Sequence, residues 1–491
     1  MRTLPKIGTS KTRKKEKMQC YICLQADPAP TRMGCACRSD SGFAHVACLV
    51  TKATYMEDAC ALAWHRCETC GHDYTGTTAT ELAEALWARV SRLCALDPRR
   101  LEAGHNLADA LVRGGRYVEA EVVCRDALSL MEREFGLDHP HTALAQGSMA
   151  ECLKYRGHYP EAEALVVRAI ETAARHLGER NENTVALRTC RAQILMEQGK
   201  YREADGIYAS VLAIARETST EEAPHRMRLE NNEALLMLYR RQFVESERAF
   251  RKLLVMERRV LGADHPQTVT TAANLALCLT SMGRHAEAMP METAVLEQRT
   301  QILGAEHPET LTSKSNLADC VQWCGELERA ENLHREVLSS RRRALGEAHC
   351  DTLASGMLLC GVLIAQHKGP EAESVVRAVI AMLDARTDMH NDKAAAHSLL
   401  AIALSSQRKY AAARERMKAV VRMCVDAYGE DDVHAREAHE LVKHMEAVEQ
   451  QATCVSCDAP ARAACARCNR TLYCSRACQR ADWRAHKPEC K

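Results

Sequence analysis

The sequence predicts a mainly α-helical protein, in which a solenoid of two-helix units is flanked by two small cysteine-rich domains. Aromatic residues make up only 4% of the 491 residues, so the core must use Leu, Ala, Val and Met. Such a core suits helix packing better than sheet packing. The middle of the chain repeats every 42 residues, and closely spaced cysteines gather near both ends. A fixed period of this size indicates stacked supersecondary units.

Charge and hydropathy exclude several broad classes of protein. The net charge is +1, so the chain as a whole is not a polycation that coats nucleic acid. Its longest apolar run, residues 357–365, is too short to span a bilayer, which takes roughly 18 residues. Residues 1–17 are basic without an apolar stretch, so we interpret them as a leader without order rather than a signal peptide. Without secretion, the 25 cysteines are expected to be thiols or metal ligands.

The first cysteine-rich segment, residues 18–75, contains four short-spaced pairs of ligand-type residues. Two residues separate the members of three pairs, and one residue separates the members of the other. Such gaps let both side chains of a pair reach one metal ion. Eight Cys/His ligands fill two tetrahedral zinc sites with no open position, which is typical of structural zinc. The predicted ligands are Cys20, Cys23, Cys35, Cys37, His45, Cys48, Cys67 and Cys70.

This segment resembles the RING-CH (variant RING) family of ubiquitin ligases. The resemblance rests on the one-residue gap between Cys35 and Cys37, the seven residues before His45, and a closing Cys-Glu-Thr-Cys followed by Tyr74. A PHD finger has the same ligand order and is the alternative. The resemblance implies a crossed arrangement, in which the first and third pairs bind one zinc ion and the second and fourth pairs bind the other.

Resemblance to this family also implies a function without a catalytic residue. RING-type domains hold a conjugating enzyme and its ubiquitin thioester in a reactive pose, so they act by positioning. The implied docking residues are Ile22 and Trp64, and the alternative is that both fill the small core. The segment differs from many active members at Gly71, where they carry a basic residue.

The second cysteine-rich segment, residues 446–491, resembles a MYND zinc finger. Tyr473 before the fifth ligand and Trp483 before the histidine accompany the ligand spacing. Members of this family bind two zinc ions and short, often proline-containing peptides, so the two fingers together imply about four zinc ions. The predicted ligands are Cys454, Cys457, Cys465, Cys468, Cys474, Cys478, His486 and Cys490.

The repeat array is predicted to cover residues 95–445, after a linker or helix at residues 76–94. Glycines at one register end a helix, and a His-Pro phrase such as His139-Pro140 opens the next. The 42-residue spacing and an Asn-Leu-Ala phrase resemble the tetratricopeptide repeats (TPR) of kinesin light chains. In that family the first helices line a concave groove whose asparagines bond peptide backbones; the alternative is an Asn that only packs helices. The matching residues are Asn106, Asn232, Asn274 and Asn316.

These modules together favour a zinc-dependent RING-type ubiquitin ligase that captures its substrate with the repeats and the MYND finger. Its partners would be a ubiquitin-conjugating enzyme and protein or peptide ligands, with neither a membrane nor nucleic acid. The main alternative is a non-catalytic interaction scaffold, and a PHD-like chromatin reader is less favoured. We expect a cytoplasmic or nuclear location. The basic run of residues 341–343 is expected to lie on a solvated helix face.

Overall fold

The computed structural model describes residues 19–33, 42–56, 61–71, 73–384, 390–428, 436–443, 463–464, 472–473 and 477–480. The basic leader and most of the C-terminal finger lie outside these ranges. The N-terminal part contains two short strands, β1 (Thr31–Arg32) and β2 (Phe43–Ala44), helix α1 (Val46–Met56) and a 3-10 helix, Ala61–Trp64. Helix α2 (Gly76–Val90) follows. Strands β3 (Ala463–Ala464) and β4 (Leu472–Tyr473) pair antiparallel near the C-terminal end.

Eight units of two helices form the middle of the chain, which confirms the predicted solenoid. Each unit has a first helix of about four turns and a second helix of similar length, joined by a tight turn. Units 1–4 comprise α3 (Pro98–Arg113), α4 (Tyr117–Phe135), α5 (Pro140–Tyr155), α6 (Tyr159–Leu177), α7 (Glu182–Glu197), α8 (Tyr201–Thr218), α9 (Pro224–Tyr239) and α10 (Phe243–Val260). Units 5–8 comprise α11 (Pro266–Ser281), α12 (His285–Leu303), α13 (Pro308–Trp323), α14 (Leu327–Leu345), α15 (Cys350–Ala365), α16 (Gly369–Asp384), α17 (His390–Ser406) and α18 (Tyr410–Tyr428).

Local sequence signals explain where these helices begin and end. The side chain of His139 accepts a hydrogen bond from the backbone N–H of His141, and Pro140 occupies the first turn of α5. At the end of α4, Gly136 takes φ +82° and ψ 174°, a combination that essentially only glycine adopts. The same pair of signals recurs along the array, so the period of the sequence becomes the period of the helices.

Successive units wind into a superhelix whose inner face is formed by the first helices. Contacts join α3 to α5, α5 to α7, α9 to α11, α11 to α13, and α15 to α17. After five units the superhelix meets itself, because α2 contacts α12 and the end of α3 reaches the beginning of α13. We call these contacts the seam: residues 113–117 and 155–159 on one side, residues 303–309 and 349–351 on the other.

Helix α2 lies within the segment expected to be a linker or a helix, and it forms a packed connection between the N-terminal finger and the array. Leu82 of α2 is fully buried in the finger's core beside Met33 and Leu49. The same helix packs against α3 of the first unit. The finger and the array therefore share a continuous interface through α2.

The prediction that residues 341–343 lie on a solvated helix face is wrong for Arg341. Arg341 is only 4% exposed, because its guanidinium donates to the Asp351 carbonyl, to Ser355 Oγ and to Thr312 Oγ1. One repeat earlier, Arg299 makes the corresponding bonds to the Glu309 carbonyl, Ser313 Oγ and Thr270 Oγ1. This buried arginine is a repeated structural bridge between helices. Arg342 and Arg343 are exposed as expected, and Arg343 forms a surface ion pair with Glu306 at 3.1 Å.

Candidate zinc centre and protein-binding surface

The structure brings four predicted ligands of the N-terminal finger into one cluster. Cys20, Cys23, His45 and Cys48 offer ligand atoms that all lie within 4.8 Å of one another. Strand β1 pairs with β2, and Tyr21 N–H donates to the Phe43 carbonyl, so the first pair is held against the third. Among the described residues, the cluster therefore joins the first pair to the third, as the family resemblance implies.

The geometry of the cluster fits a tetrahedral zinc ion. His45 Nδ1 lies 3.3 Å from Cys23 Sγ and 3.7 Å from Cys48 Sγ. Ligand atoms around tetrahedral zinc are separated by roughly 3.6 Å when the metal–ligand bonds are about 2.0–2.3 Å. His45 Nε2 lies 2.6 Å from the Pro28 carbonyl and donates to it, which leaves Nδ1 for the metal. A hydrogen bond of this kind fixes the ring of a zinc-binding histidine.

The thiols of this cluster differ in pKa, and therefore in how readily each becomes a thiolate that can bind a cation. Burial acts to raise the pKa of Cys20, but backbone N–H groups, including that of His45 at 3.4 Å from Sγ, bring it down to about 7. Burial and the neighbouring thiols raise the pKa of Cys48 to about 12. Three crowded thiols cannot all ionise unaided, so a bound dication would supply the charge that holds them as thiolates.

Only half of the second predicted site of this finger lies within the described residues. Cys67 and Cys70 lie in one turn that the Gly71 N–H closes by donating to the Cys67 carbonyl at 2.8 Å. Gly71 has φ +68°, so this turn itself favours glycine there. Cys35 and Cys37 lie outside the described residues. So do the predicted C-terminal ligands apart from the half-buried Cys478, namely Cys454, Cys457, Cys465, Cys468, Cys474, His486 and Cys490.

Trp64 does not lie where a docking surface requires it. Its side chain is 3% exposed and packs in the finger's core with Tyr74 and Leu82, while the Arg89 guanidinium covers the ring at 5.9 Å. It therefore fills the core, the alternative that the sequence left open. Ile22 is half-buried against the same core. Helix α2 causes this difference, because it covers a side of the finger that an isolated domain would expose.

The four predicted groove asparagines are all half-buried on first helices, but their environments differ. Asn274 donates to Asn231 Oδ1 at 2.8 Å, and Asn316 donates to Glu292 Oε1 at 3.3 Å, so both amides bridge helices. Asn106 lines a cavity of about 290 Å³ between the finger and α3. The amide nitrogen of Asn232 is buried, and the side chain lies beside the buried hydroxyl of Tyr208.

Stacked aromatic pairs were not anticipated from the sequence. Rings stack between consecutive units at Tyr117 and Tyr155, with centroids 5.1 Å apart, and again at Tyr201 and Tyr239, 5.7 Å apart. The third pair, His285 and Trp323, stacks at 5.4 Å, and Trp323 is 68% exposed. The signal in the sequence was a ring at the first position of five consecutive second helices, α4 to α12, with a second ring at the end of every other following first helix, at Tyr155, Tyr239 and Trp323. The exposed indole is a candidate contact for a protein ligand.

A second close group of ligand-type side chains, His349, Cys350 and Asp351, lies on the seam. Burial raises the pKa of Cys350 to about 12, so its thiol stays protonated. Its sulfur lies 3.5 Å from the hydroxyl of Tyr159 on the opposite side of the seam. We therefore assign this group to packing rather than to a metal. Among the described residues, no helix combines the length and apolarity needed to cross a membrane.

Comparison with protein families identifies the repeats and the C-terminal finger. Tetratricopeptide repeat models match residues 100–175 and 225–300, residues 310–351 and 394–434, and residues 192–222. The MYND finger model matches residues 454–490. No family model identifies the N-terminal finger as RING-CH. The repeats and the MYND finger support a role in protein–protein interaction, and the MYND finger implies zinc binding.

Solved structures of helical repeat proteins are similar to this chain. A Podosopora anserina protein assigned as a kinesin light chain with nearly identical TPR-like repeats shares 23% identity, covers 42% of this chain and 97% of its own, and gives a TM-score of 0.34. BtubC from P. vanneervenii shares 19% identity over 54% of this chain and 92% of its own, with a TM-score of 0.33. The apo form of the quorum sensor NprR from B. thuringiensis shares 11% identity over 70% and 98%, with a TM-score of 0.44.

The search among curated proteins found no match to this chain. The helical units, their period and the family models nevertheless agree with one another. The chain is therefore an array of tetratricopeptide repeats combined with a MYND finger near its C-terminal end.

Proposed function

We propose that this protein is an interaction scaffold that binds segments of partner proteins with its repeat array and its MYND finger. The observation that carries the proposal is the presence of two different peptide-recognition modules in one chain. The exposed stack of Trp323 on His285 offers the array a rigid aromatic contact, and the half-buried Asn232 lies at one of the positions that match the groove asparagines. Aromatic anchors of this kind carry much of the affinity of protein interfaces.

The scaffold is tested by probing the full-length protein with an array of immobilised peptides that includes proline-containing sequences. We expect binding that weakens in Trp323→Ala or Asn232→Ala. The matched control is Tyr55→Ala, which removes an exposed ring, 86% exposed, from the N-terminal finger. Peptide binding that is identical in all three variants and in the wild type would refute the role of the array.

The second candidate function is ubiquitin ligation through the N-terminal finger. The crossed cluster of the first and third ligand pairs favours it, because RING-type domains share this arrangement. The half-buried Ile22 would contact the conjugating enzyme, and Trp64 would support the contact from within the core. A PHD-like reader has the same ligand order, but the buried rings of Trp64 and Tyr74 are poorly placed for an aromatic cage around methyl-lysine.

An autoubiquitination assay with a panel of conjugating enzymes separates ligase from scaffold. The control is a Cys67→Ala, Cys70→Ala variant, and Ile22→Ala tests the docking contact. Ubiquitin chains that vanish in the control would support the ligase. The protein used must bind about four zinc ions, as measured by mass spectrometry. If such protein forms no ubiquitin chains with any conjugating enzyme, the ligase function is refuted and the scaffold function remains. We place this activity in the cytoplasm or nucleus, which fluorescence imaging of the tagged protein tests.

A further inference from the structure

In each unit, the residue immediately before the first helix occupies the N-terminal cap position of that helix. In units 1–3 this position is held by Asp97, His139 and Asn181, and each side chain accepts a hydrogen bond from a backbone N–H two residues later. His307 and His349 do the same in units 6 and 7, through Nδ1 at 3.2 Å. Capping alone therefore needs one acceptor, which aspartate or asparagine supplies as well as histidine.

Histidine has a second ring nitrogen, and units 6 and 7 use it. His307 Nε2 lies 2.8 Å from the Arg113 carbonyl, and His349 Nε2 lies 2.9 Å from the Tyr155 carbonyl. Because Nδ1 accepts from an N–H group, the proton resides on Nε2, which therefore donates to the carbonyl. Arg113 and Tyr155 end α3 and α5, where the last carbonyls have no partner within their own helix.

We propose that His307 and His349 are staples that close the superhelix onto itself, each capping the start of one helix and the end of another one superhelical turn away. The two sites are equivalent, because each joins units that are five apart. The helices meet end to end, so the positive N-terminal pole of α13 faces the negative C-terminal pole of α3. The staples thus determine whether the array is a closed cylinder or an extended superhelix, and so whether a partner reaches its inner face from the side.

Close packing along the seam supports the staples independently of the histidines. A Cβ added to Gly115 would lie 2.5 Å from Pro308 Cδ, whereas one added to Gly283, at the equivalent turn of unit 5, would meet nothing within 4 Å. Both glycines have similar positive φ angles of +73° and +76°. Desolvation lowers the pKa of His307, which favours the neutral ring that the double cap requires.

The direct test is a His307→Asn, His349→Asn variant of the full-length protein. Asparagine keeps the cap, as Asn181 shows, but is too short to donate across the seam. Hydrogen exchange of residues 111–117 and 153–159 should quicken by about tenfold, the effect of losing one hydrogen bond of ordinary strength. Small-angle X-ray scattering should show a larger radius of gyration. The matched control is His139→Asn, whose cap bond is the same and whose exchange at the seam should not change.

A steric pair keeps the proposal falsifiable if the double variant does not fold. Gly115→Ala and Gly283→Ala impose the same left-handed strain, but only the first drives a methyl group into Pro308. Faster exchange at the seam in Gly115→Ala alone would support the closed cylinder. Equal exchange in the two alanine variants, or wild-type exchange and radius in a folded asparagine double variant, would overturn the proposal.

Discussion

Replacing Arg341 by alanine should destabilise the array far more than replacing Arg343 two residues later. The Arg341 guanidinium makes hydrogen bonds of 3.1, 2.8 and 2.8 Å to acceptors on α13 and α15. Bonds from a charged donor contribute about 1.5–3 kcal/mol each, and removal of the buried charge returns part of that sum as relieved desolvation. We therefore expect a loss of about 3 kcal/mol in the free energy of unfolding.

The neighbouring residue provides the control for this prediction. The Arg343 side chain is 63% exposed and its pair with Glu306 is a surface ion pair, so Arg343→Ala should cost less than about 1 kcal/mol. Urea unfolding followed by circular dichroism measures the difference, and hydrogen exchange of units 6 and 7 locates it, because repeat arrays transmit stability between neighbours. Equal destabilisation by the two substitutions would refute the structural role of Arg341.

Three further predictions concern the metal, the pH and the finger's core. Chelation with EDTA should release about four zinc ions and leave most of the helical circular dichroism intact; a large loss of helix would contradict the division between fingers and array. Burial raises the pKa of Glu292 to about 8, so the array's stability should fall as the pH rises from about 4.5 to 8. Glu292→Gln should flatten this urea-unfolding profile, and an unchanged slope would contradict the assignment. Trp64→Ala should destabilise the zinc-loaded finger by about 3–5 kcal/mol, whereas Tyr55→Ala should be nearly neutral; similar thermal shifts would show that Trp64 is not a core residue.

The helical units were predictable from the sequence because their signals are local. A glycine with positive φ, such as Gly136, ends one helix, and His139 with Pro140 starts the next within four residues. The period then follows from repetition of these signals. The cluster formed by the first and third ligand pairs was anticipated through the family resemblance, since the spacing alone does not decide which pairs would share an ion.

Features that depend on distant packing were not predictable in this way. Trp64 is buried because α2 packs over the finger, and Arg341 is buried because its acceptors Thr312 and Ser355 come from neighbouring helices. The seam arises only after small rotations accumulate over five units. No short window of sequence contains such a rotation, so contacts between residues 194 positions apart stay hidden.

The recurrence of the cap position bears on how this gene can change length. The seam joins units that are five apart. Insertion of one extra unit between units 2 and 5 would therefore place the present unit 5 opposite unit 1 and the present unit 6 opposite unit 2. The cap residues of those two units are His265 and His307. After duplication of a repeat, a histidine would therefore again face the carbonyls of Arg113 and Tyr155. The array could lengthen by one unit and still close at the seam.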